Sequence, residues 1–235
     1  MKCCYCQKPI IKNLTIKELV QRKKSVELCW ECAKLFTPLS SENKCDGCQK
    51  SLLKSERKST HSQKHLCTDC LYWQERYPTY DFCHRSFFKY DEAMQTWFQQ
   101  YKFTGDIRLA GTFAKQWQSL PKRFPDYLFC PIPLSNERLA QRGFNQVSQM
   151  LKVSGVTFQI LLKRVKHHSA QAQHSRVKRL AMPQPFALCV EPEQIKQCKI
   201  LLIDDVYTTG QTLFHAATCL AEHQPIEVRT FSLAR

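Results

Sequence analysis

The chain has 235 residues, which is enough for one domain of ordinary size and a small second domain. It carries 35 Lys and Arg residues against 20 Asp and Glu residues, a formal net charge of +15. This excess suits a polyanionic partner, either nucleic acid or a phosphorylated small molecule, but it determines neither fold nor specificity. The start MKCCYC is unlike a secretory signal, and no apolar run approaches the roughly 18 residues of a membrane helix. We therefore expect a cytoplasmic protein without a membrane span.

Four CxxC pairs occupy the first 70 residues, with gaps of 22, 12 and 18 residues between them. Because disulfides do not persist in the cytosol, such regular spacing indicates metal binding. Two pairs complete one tetrahedral shell, so we predict two structural zinc ions in a double zinc ribbon. Sequential pairing is the simplest assignment, although spacing leaves interleaved pairing open and a redox role is the rival interpretation. The predicted ligands are Cys3, Cys6, Cys29, Cys32, Cys45, Cys48, Cys67 and Cys70.

In chain order, residues 1–72 are expected to form this zinc-ribbon domain. Residues 73–89 are expected to form an aromatic connector that starts as a linker and ends in a first strand, DFCHRSFFKY. The main domain then takes up residues 90–235. Asp91 is the expected N-cap of its first helix, and a second helix is expected over residues 110–117, because apolar residues recur at helical spacing in both.

After Pro121 the apolar pattern alternates between strands and helices. The expected strands are DYLFCPIP, VTFQILLKRV, KILLID and IEVRTFSLAR, and the expected helices are GFNQVSQMLK and TLFHAATCLAEH. This alternation predicts an α/β domain with a mostly parallel sheet flanked by helices. In such sheets, ligands bind beyond the carboxyl ends of the strands.

The stretch ILLIDDVYTTGQTL, residues 200–213, places two adjacent aspartates at such an end. Asp204 and Asp205 repel each other unless something neutralises them, and carboxylates bind both the hydroxyls of a diol and Mg²⁺. The following loop offers hydroxyls, a glycine turn and a helix N-terminus to a phosphate. We interpret the stretch as a ribose-5-phosphate clamp; the alternative is a turn that only caps the helix. The loop residues are Val206, Tyr207, Thr208, Thr209, Gly210, Gln211 and Thr212.

This stretch resembles the phosphoribosyl-pyrophosphate signature of type I phosphoribosyltransferases: four hydrophobic residues, two acids and a TTG-type loop. The resemblance implies a type I phosphoribosyltransferase-like domain behind the four-cysteine double zinc ribbon. It also implies that the two aspartates bind the ribose hydroxyls, that the loop surrounds the 5-phosphate, and that Mg²⁺ accompanies phosphoribosyl pyrophosphate.

Further motifs, together with the CxxC pairs, resemble the ComF family of bacterial competence proteins over essentially the whole chain. These motifs are YKFTGD at 101–106, PIPL at 131–134 and RGFNQ at 142–146. That family is linked to the uptake and handling of transforming DNA. The resemblance implies single-stranded DNA as a partner, along with other competence proteins such as a helicase or a recombination mediator.

PIPL ends a strand and opens a loop, where type I enzymes keep a pyrophosphate-binding turn. The implied pyrophosphate or phosphate contacts are Pro133, Leu134, Arg138 and Arg142. Arg142 has an alternative interpretation as a solvated residue at a helix start. Asn145 and Gln146 either cap that helix or contact ligand, and the sequence does not separate these roles.

Between Arg138 and Val190 the chain has no Asp or Glu and nine Lys or Arg residues. Type I transferases carry a loop in this region that closes over pyrophosphate, which would make it basic. The same tract could instead grip the backbone of single-stranded nucleic acid, or be an ordinary solvated loop. The candidates for nucleic-acid binding are Lys163, Arg164, Lys166, Arg176, Lys178 and Arg179.

Two functions follow from these patterns. In the first, the protein acts in natural transformation, in DNA uptake and the processing of incoming single-stranded DNA, with a site for phosphoribosyl pyrophosphate or a related ribose phosphate. In the second, it is an active Mg-dependent phosphoribosyltransferase that transfers 5-phosphoribosyl to a base or amine and releases pyrophosphate. The sequence favours the first, because no side chain beside the motif is an obvious general base. It assigns no catalytic residue.

Overall fold

The computed structural model describes residues 2–10, 28–39, 42–52, 58–59, 64–78, 80–165 and 184–235. The strands are β1 (Lys58–Ser59), β2 (His65–Leu66), β3 (His84–Phe88), β4 (Tyr127–Pro131), β5 (Leu162–Arg164), β6 (Phe186–Leu188), β7 (Lys199–Val206) and β8 (Glu227–Ala234). The helices are α1 (Trp30–Lys34), α2 (Thr68–Arg76), α3 (Glu92–Phe103), α4 (Ala114–Gln118), α5 (Leu120–Arg123), α6 (Asn136–Arg142), α7 (Gln146–Val153) and α8 (Gln211–Ala221), with 3-10 turns at Ile107–Gly111 and Pro192–Gln194.

The centre of the protein is a four-stranded sheet in the order β3-β8-β7-β4, and all three pairings are parallel. The predicted α/β architecture, a parallel sheet flanked by helices, is confirmed. Because every strand runs the same way, the segments that follow β4 and β7 leave the sheet at one edge. This edge brings the PIPL segment near the aspartate loop.

The central strand β7 is covered on both faces, as its unbroken apolar run predicts. Leu201 and Ile203 pack into one apolar cluster, with side chains of α3, α4 and α7. Ile200 and Leu202 pack into the other, with side chains of α8 and the β5–β6 hairpin. All four residues are 0% exposed, so the motif strand is fixed in register by burial on both sides.

The predicted helix after Asp91 is confirmed as α3. The Asp91 carboxylate accepts a hydrogen bond from the backbone N–H of Met94 at 3.1 Å, the geometry of an N-cap. The helix ends at Phe103, and Gly105 follows with a φ of +66°. None of the helices within the described ranges has the length and apolar character needed to cross a membrane.

Two predicted elements differ in the structure. Of VTFQILLKRV, only Leu162–Arg164 is a strand, and it pairs antiparallel with Phe186–Leu188 outside the central sheet. A single backbone bond, from the N–H of Gln159 to the carbonyl of Phe129, links this segment to β4. In place of the helix predicted over 110–117, the chain has the end of the 3-10 turn Ile107–Gly111 and then α4; Pro121, at the start of α5, separates α5 from α4 because it lacks a backbone N–H.

Two further elements were not predicted. The first half of the connector is not a linker, because α2 runs to Arg76 and crosses the expected boundary between residues 72 and 73. Helix α6 was also missed, although Ser135 caps its start and Gly143, at a φ of +76°, ends it. Arg142 therefore lies at the end of a helix and not at a helix start.

Candidate functional site

The eight predicted zinc ligands form two separate groups. We call Cys3, Cys6, Cys29 and Cys32 the first cysteine group, and Cys45, Cys48, Cys67 and Cys70 the second cysteine group. Within each group all four sulfurs lie within 4.8 Å of one another. This is the sequential pairing of the CxxC motifs, and it brings together residues up to 29 positions apart.

The donor chemistry of both groups fits zinc. Backbone N–H groups point at the sulfurs, from Cys29 to Cys3 at 3.3 Å and from Cys67 to Cys45 at 3.2 Å. Burial opposes ionisation of the Cys3 thiol, but the backbone N–H groups of Cys29, Cys6 and Tyr5 and the side chain of Cys6 outweigh it and lower the pKa of Cys3 to about 6. Four thiolates leave no position for a reacting water, so each group suits a structural ion.

A cavity of about 310 Å³ opens at the carboxyl end of β7. Asp204 and the phosphate loop, by which we mean Val206–Thr212, line it together with Arg138 and Leu213. A helix N-terminus, hydroxyl side chains, a carboxylate and a guanidinium thus face one space. This combination suits a ligand that carries both a phosphate and hydroxyl groups.

The two aspartates of the motif have different surroundings. Asp205 forms an ion pair with Lys102 of α3, with 2.7 Å between Nζ and Oδ2, and both side chains are about 15% exposed. Asp204 instead lines the cavity, and its Oδ1 accepts the backbone N–H of Asp205 at 2.8 Å. Lys102 lies in the YKFTGD segment but was not predicted at the site, because nothing in its local sequence places it beside Asp205.

Burial and the adjacent charge of Asp205 raise the pKa of the Asp204 carboxyl to about 7, against the opposing charges of Lys102 and Arg164. Ionisation of Asp204 therefore destabilises the folded protein unless a cation or a set of hydroxyl donors stabilises the carboxylate. Mg²⁺ binds in proteins through one or two carboxylates together with the phosphates of its ligand, and Asp204 supplies one such carboxylate. The residues present thus fit a magnesium-bound phosphate ligand.

The phosphate loop is shaped by the contact of Gly210 with Tyr207. Gly210 has a φ of +79° and stands at the N-cap of α8. A Cβ added there would lie 2.4 Å from the Tyr207 hydroxyl, so only glycine fits. Tyr207 is 3% exposed, and its hydroxyl has no hydrogen-bond partner among the described residues. A buried, unpaired hydroxyl under the loop is an available donor.

Three arginines surround Asp204 and Asp205: Arg138 and Arg142, which were predicted to meet phosphate, and Arg164, which was predicted to meet nucleic acid. Arg138 is exposed and lines the cavity. Arg142 is half-buried. Burial lowers the pKa of its guanidinium, and the charge of Asp205 acts in the opposite direction. Arg164 is close to both Asp204 and Arg138, and burial also lowers its pKa. The Nε atoms of Arg142 and Arg164 are buried without a partner in the described part of the chain.

Other predicted contacts are placed less directly. Pro133 and Leu134 follow β4 at the same sheet edge and are half-buried, but they do not line the cavity. Asn145 acts as a helix cap, because its Oδ1 accepts the N–H of Ser148 at 3.0 Å. Gln146 accepts a hydrogen bond from Arg142 at 2.9 Å.

The basic tract is only partly described. Lys163 is exposed on β5, whereas its neighbour Arg164 turns inward and lies over the ring of Phe186 at 5.1 Å. Arg164 thus belongs to the surroundings of Asp204 and was predicted instead as a nucleic-acid contact. The remaining candidates, Lys166, Arg176, Lys178 and Arg179, lie outside the described residues.

The chain is similar to known proteins over different lengths. The sequence profile of the family described as "Phosphoribosyl transferase domain" matches residues 138–235. The chain is 35% identical over 236 residues to Competence protein ComFC of Streptococcus pneumoniae, with 100% of both chains covered. It is 28% identical to Competence protein ComFC of Bacillus subtilis, covering 99% of this chain and 94% of the relative. Competence protein F of Haemophilus influenzae is 28% identical over 81% of this chain and 90% of its own length.

Proposed function

Because this chain belongs to the ComF family of competence proteins, we propose that it acts in natural transformation, in the uptake and processing of incoming single-stranded DNA. Part of the proposal is a regulatory or structural site that binds phosphoribosyl pyrophosphate or a related ribose phosphate with Mg²⁺. The two cysteine groups each hold a structural zinc ion. The cytoplasm is the expected compartment, since thiolate clusters persist where thiols stay reduced.

The observation that carries the ligand proposal is the cavity in front of Asp204. Its wall combines the Asp204 carboxylate, the N-terminus of α8 and the guanidinium of Arg138. A ribose phosphate presents a diol to the carboxylate and a phosphate to the helix N-terminus and the guanidinium. The second carboxylate, Asp205, contributes through its ion pair with Lys102, which holds α3 against the end of β7.

Asp204→Asn is the direct test. The amide keeps the shape of the side chain but loses the charge that attracts Mg²⁺ and accepts hydroxyl protons. We expect the affinity for Mg-phosphoribosyl pyrophosphate to fall by about 100-fold or more, as for the loss of a charged hydrogen-bonding partner. Calorimetric titration of the zinc-loaded protein measures it.

Asp81→Asn is the matched control. Asp81 is exposed on another surface, where it forms an ion pair with Lys64, and it does not line the cavity. Its substitution should leave the affinity within about twofold, because exposed pairs contribute little. Equal affinities of wild-type protein and Asp204→Asn would refute the ribose clamp.

An active transferase is the second candidate function, and one observation favours it. Phe103, which ends α3 directly after Lys102, is 69% exposed, and the guanidinium of Arg142 lies 5.8 Å from its ring. An exposed aromatic ring beside the ribose site is a surface on which an acceptor base stacks. Pyrophosphate release from phosphoribosyl pyrophosphate, measured with each nucleobase in turn and with ammonia, distinguishes the two: a sustained release with one acceptor supports the transferase, and its absence with all of them supports a binding role.

A further inference from the structure

The second cysteine group lies directly behind the phosphate loop. Arg235, the residue after β8, donates a hydrogen bond from Nη2 to the sulfur of Cys48 at 2.8 Å. The same guanidinium lies 4.9 Å from the ring centre of Tyr207, the second residue of the loop. One side chain therefore contacts both a sulfur of the second cysteine group and the loop.

The backbone holds Arg235 in this place. Its N–H donates to the carbonyl of Phe88 at 3.0 Å, and its carbonyl accepts the N–H of Tyr90 at 2.7 Å. Four thiolates around one zinc ion carry a net charge of about −2, which a guanidinium partly balances. Hydrogen bonds to ligand sulfurs also orient the ligands of a metal site. The position of the Arg235 guanidinium thus depends on the charge and geometry of the second cysteine group.

Tyr207 transmits that position to the loop. Its ring stacks on His84 at 4.2 Å on one side, and its hydroxyl meets Gly210 on the other, where no Cβ would fit. Because the ring is enclosed, a shift of Arg235 moves Tyr207 and with it the turn that presents the N-terminus of α8 to the cavity.

A second contact reaches the loop from the same cysteine group. Helix α2 starts directly after Cys67 and contains Cys70, so the metal ligands determine where it lies. From this helix, Trp73 donates a hydrogen bond to the carbonyl of Thr209 at 2.8 Å. Its ring also stacks on Phe214 of α8, with 4.4 Å between centroids. The loop is thus held at Tyr207 and at Thr209, on both sides of the turn.

The first cysteine group faces elsewhere. Cys4, next to its ligand Cys3, contacts Thr112 at 3.6 Å, and Tyr5 packs on Phe36, which packs on Phe113. These contacts reach the helices on the opposite side of the sheet. Within the described ranges, its hydrogen bonds and ring contacts involve no residue of the phosphate loop.

We propose that metal at the second cysteine group, acting through Arg235 and Trp73 as positioning residues, holds the phosphate loop in its ligand-binding shape, whereas metal at the first group does not. The ligand part of this inference rests on the proposed function; the loop part does not. We therefore expect a protein that loses only the second ion to lose the ligand-binding shape of the phosphate loop.

The first experiment compares Cys48→Ser with Cys6→Ser, each with one zinc ion by elemental analysis and with native far-UV circular dichroism. We expect at least tenfold weaker binding of Mg-phosphoribosyl pyrophosphate for Cys48→Ser and a change within twofold for Cys6→Ser. Equal losses in both variants, or none in Cys48→Ser, would overturn the inference.

If Cys48→Ser does not fold, two variants that leave all the cysteines in place provide the test. Arg235→Gln removes the charge beside Cys48, and Trp73→Phe removes the hydrogen bond to Thr209 while it keeps the stacking. Arg229→Gln is the control, because Arg229 lies on β8 and pairs with Glu227 at the end of that strand away from Arg235. We expect about tenfold weaker ligand binding and faster release of one zinc ion to a chelator for Arg235→Gln, weaker binding for Trp73→Phe, and neither effect for Arg229→Gln. Wild-type behaviour of both test variants would refute the positioning role.

Hydrogen exchange separates this inference from the proposed function. We expect the amides of residues 206–213 to exchange at least tenfold faster in Arg235→Gln than in the wild-type protein, with no ligand present. If wild-type protein binds no ribose phosphate but shows this difference, the function fails and the coupling stands. If it binds ligand and the exchange rates are equal, the coupling fails and the function stands.

Discussion

The surroundings of Asp204 make its ionisation unfavourable in the folded protein, which lowers the stability of the fold and favours a ligand that stabilises the carboxylate. Its pKa is raised to about 7 by burial and by the charge of Asp205, while the charges of Lys102 and Arg164 act in the opposite direction. In the unfolded chain an aspartate titrates near pH 4. Between these two values the folded state binds more protons than the unfolded state, so its stability falls as the pH rises through this window and is level above it.

Asp204→Asn should therefore stabilise the protein at high pH. An amide resembles the protonated carboxyl, so it removes the cost of ionisation. We expect the free energy of unfolding to exceed that of wild type by about 4 kcal/mol at pH 8, and to match it near pH 4. Urea titrations of the zinc-loaded proteins at both values measure this difference, and a gain that does not depend on pH would contradict the assignment.

The antiparallel pair β5–β6 places two neighbouring residues of the basic tract, Lys163 and Arg164, in different surroundings. Successive side chains of a strand point to opposite faces. Lys163 is accordingly exposed, while Arg164 faces Phe186 and lies near Asp204. We expect the exposed lysine to contact nucleic acid and the half-buried arginine to contact the ribose phosphate.

Lys163→Gln and Arg164→Gln form a matched pair that tests this division. If Lys163 contacts one phosphate of single-stranded DNA, its loss should lower the salt slope of binding by about 0.7, with unchanged affinity for Mg-phosphoribosyl pyrophosphate. Arg164→Gln should weaken ligand binding by about tenfold or more, since it removes a half-buried cation. Fluorescence anisotropy with an oligonucleotide at several salt concentrations, and calorimetry, measure the two effects. The opposite distribution of effects would refute the division.

The two parts of the chain pack as one body in the described structure. Phe36, between the two cysteine groups in sequence, is 3% exposed and lies 4.9 Å from the ring of Phe113 and 6.3 Å from that of Phe88. Backbone bonds add to this, from the N–H of His84 to Gly47 at 2.7 Å and from that of Leu39 to Phe87 at 3.1 Å. The amino-terminal part therefore completes the apolar core beside β3.

Phe36→Ala should thus destabilise the whole chain. A large ring removed from a packed core costs about 3–5 kcal/mol in the free energy of unfolding. Phe103→Ala is the control, because its ring is exposed and its loss should cost less than about 0.5 kcal/mol. We expect a single unfolding transition in urea that shifts for Phe36→Ala only. A second transition, with the main domain unaffected, would show that the two parts unfold independently.

The elements with local signals could be predicted from the sequence. An unbroken apolar run predicted β7 as a strand covered on both faces, Asp91 predicted the start of α3, and the CxxC spacing indicated the eight cysteines of the two groups but left their pairing open. Each of these depends on residues that are close in the chain, because hydrogen bonding, capping and chelation act over short distances. The family was likewise identified from short motifs.

The contacts between residues far apart in the chain are set by the tertiary fold. In it, Asp205 pairs with Lys102, which leaves Asp204 to face the cavity. It also brings both Cys48 and Tyr207 into contact with Arg235. No periodicity or spacing encodes such contacts, because they arise where the parallel sheet aligns the ends of its strands and the cysteine-rich segment folds back over them. The charge that a ligand meets at this site is therefore a property of the packed fold.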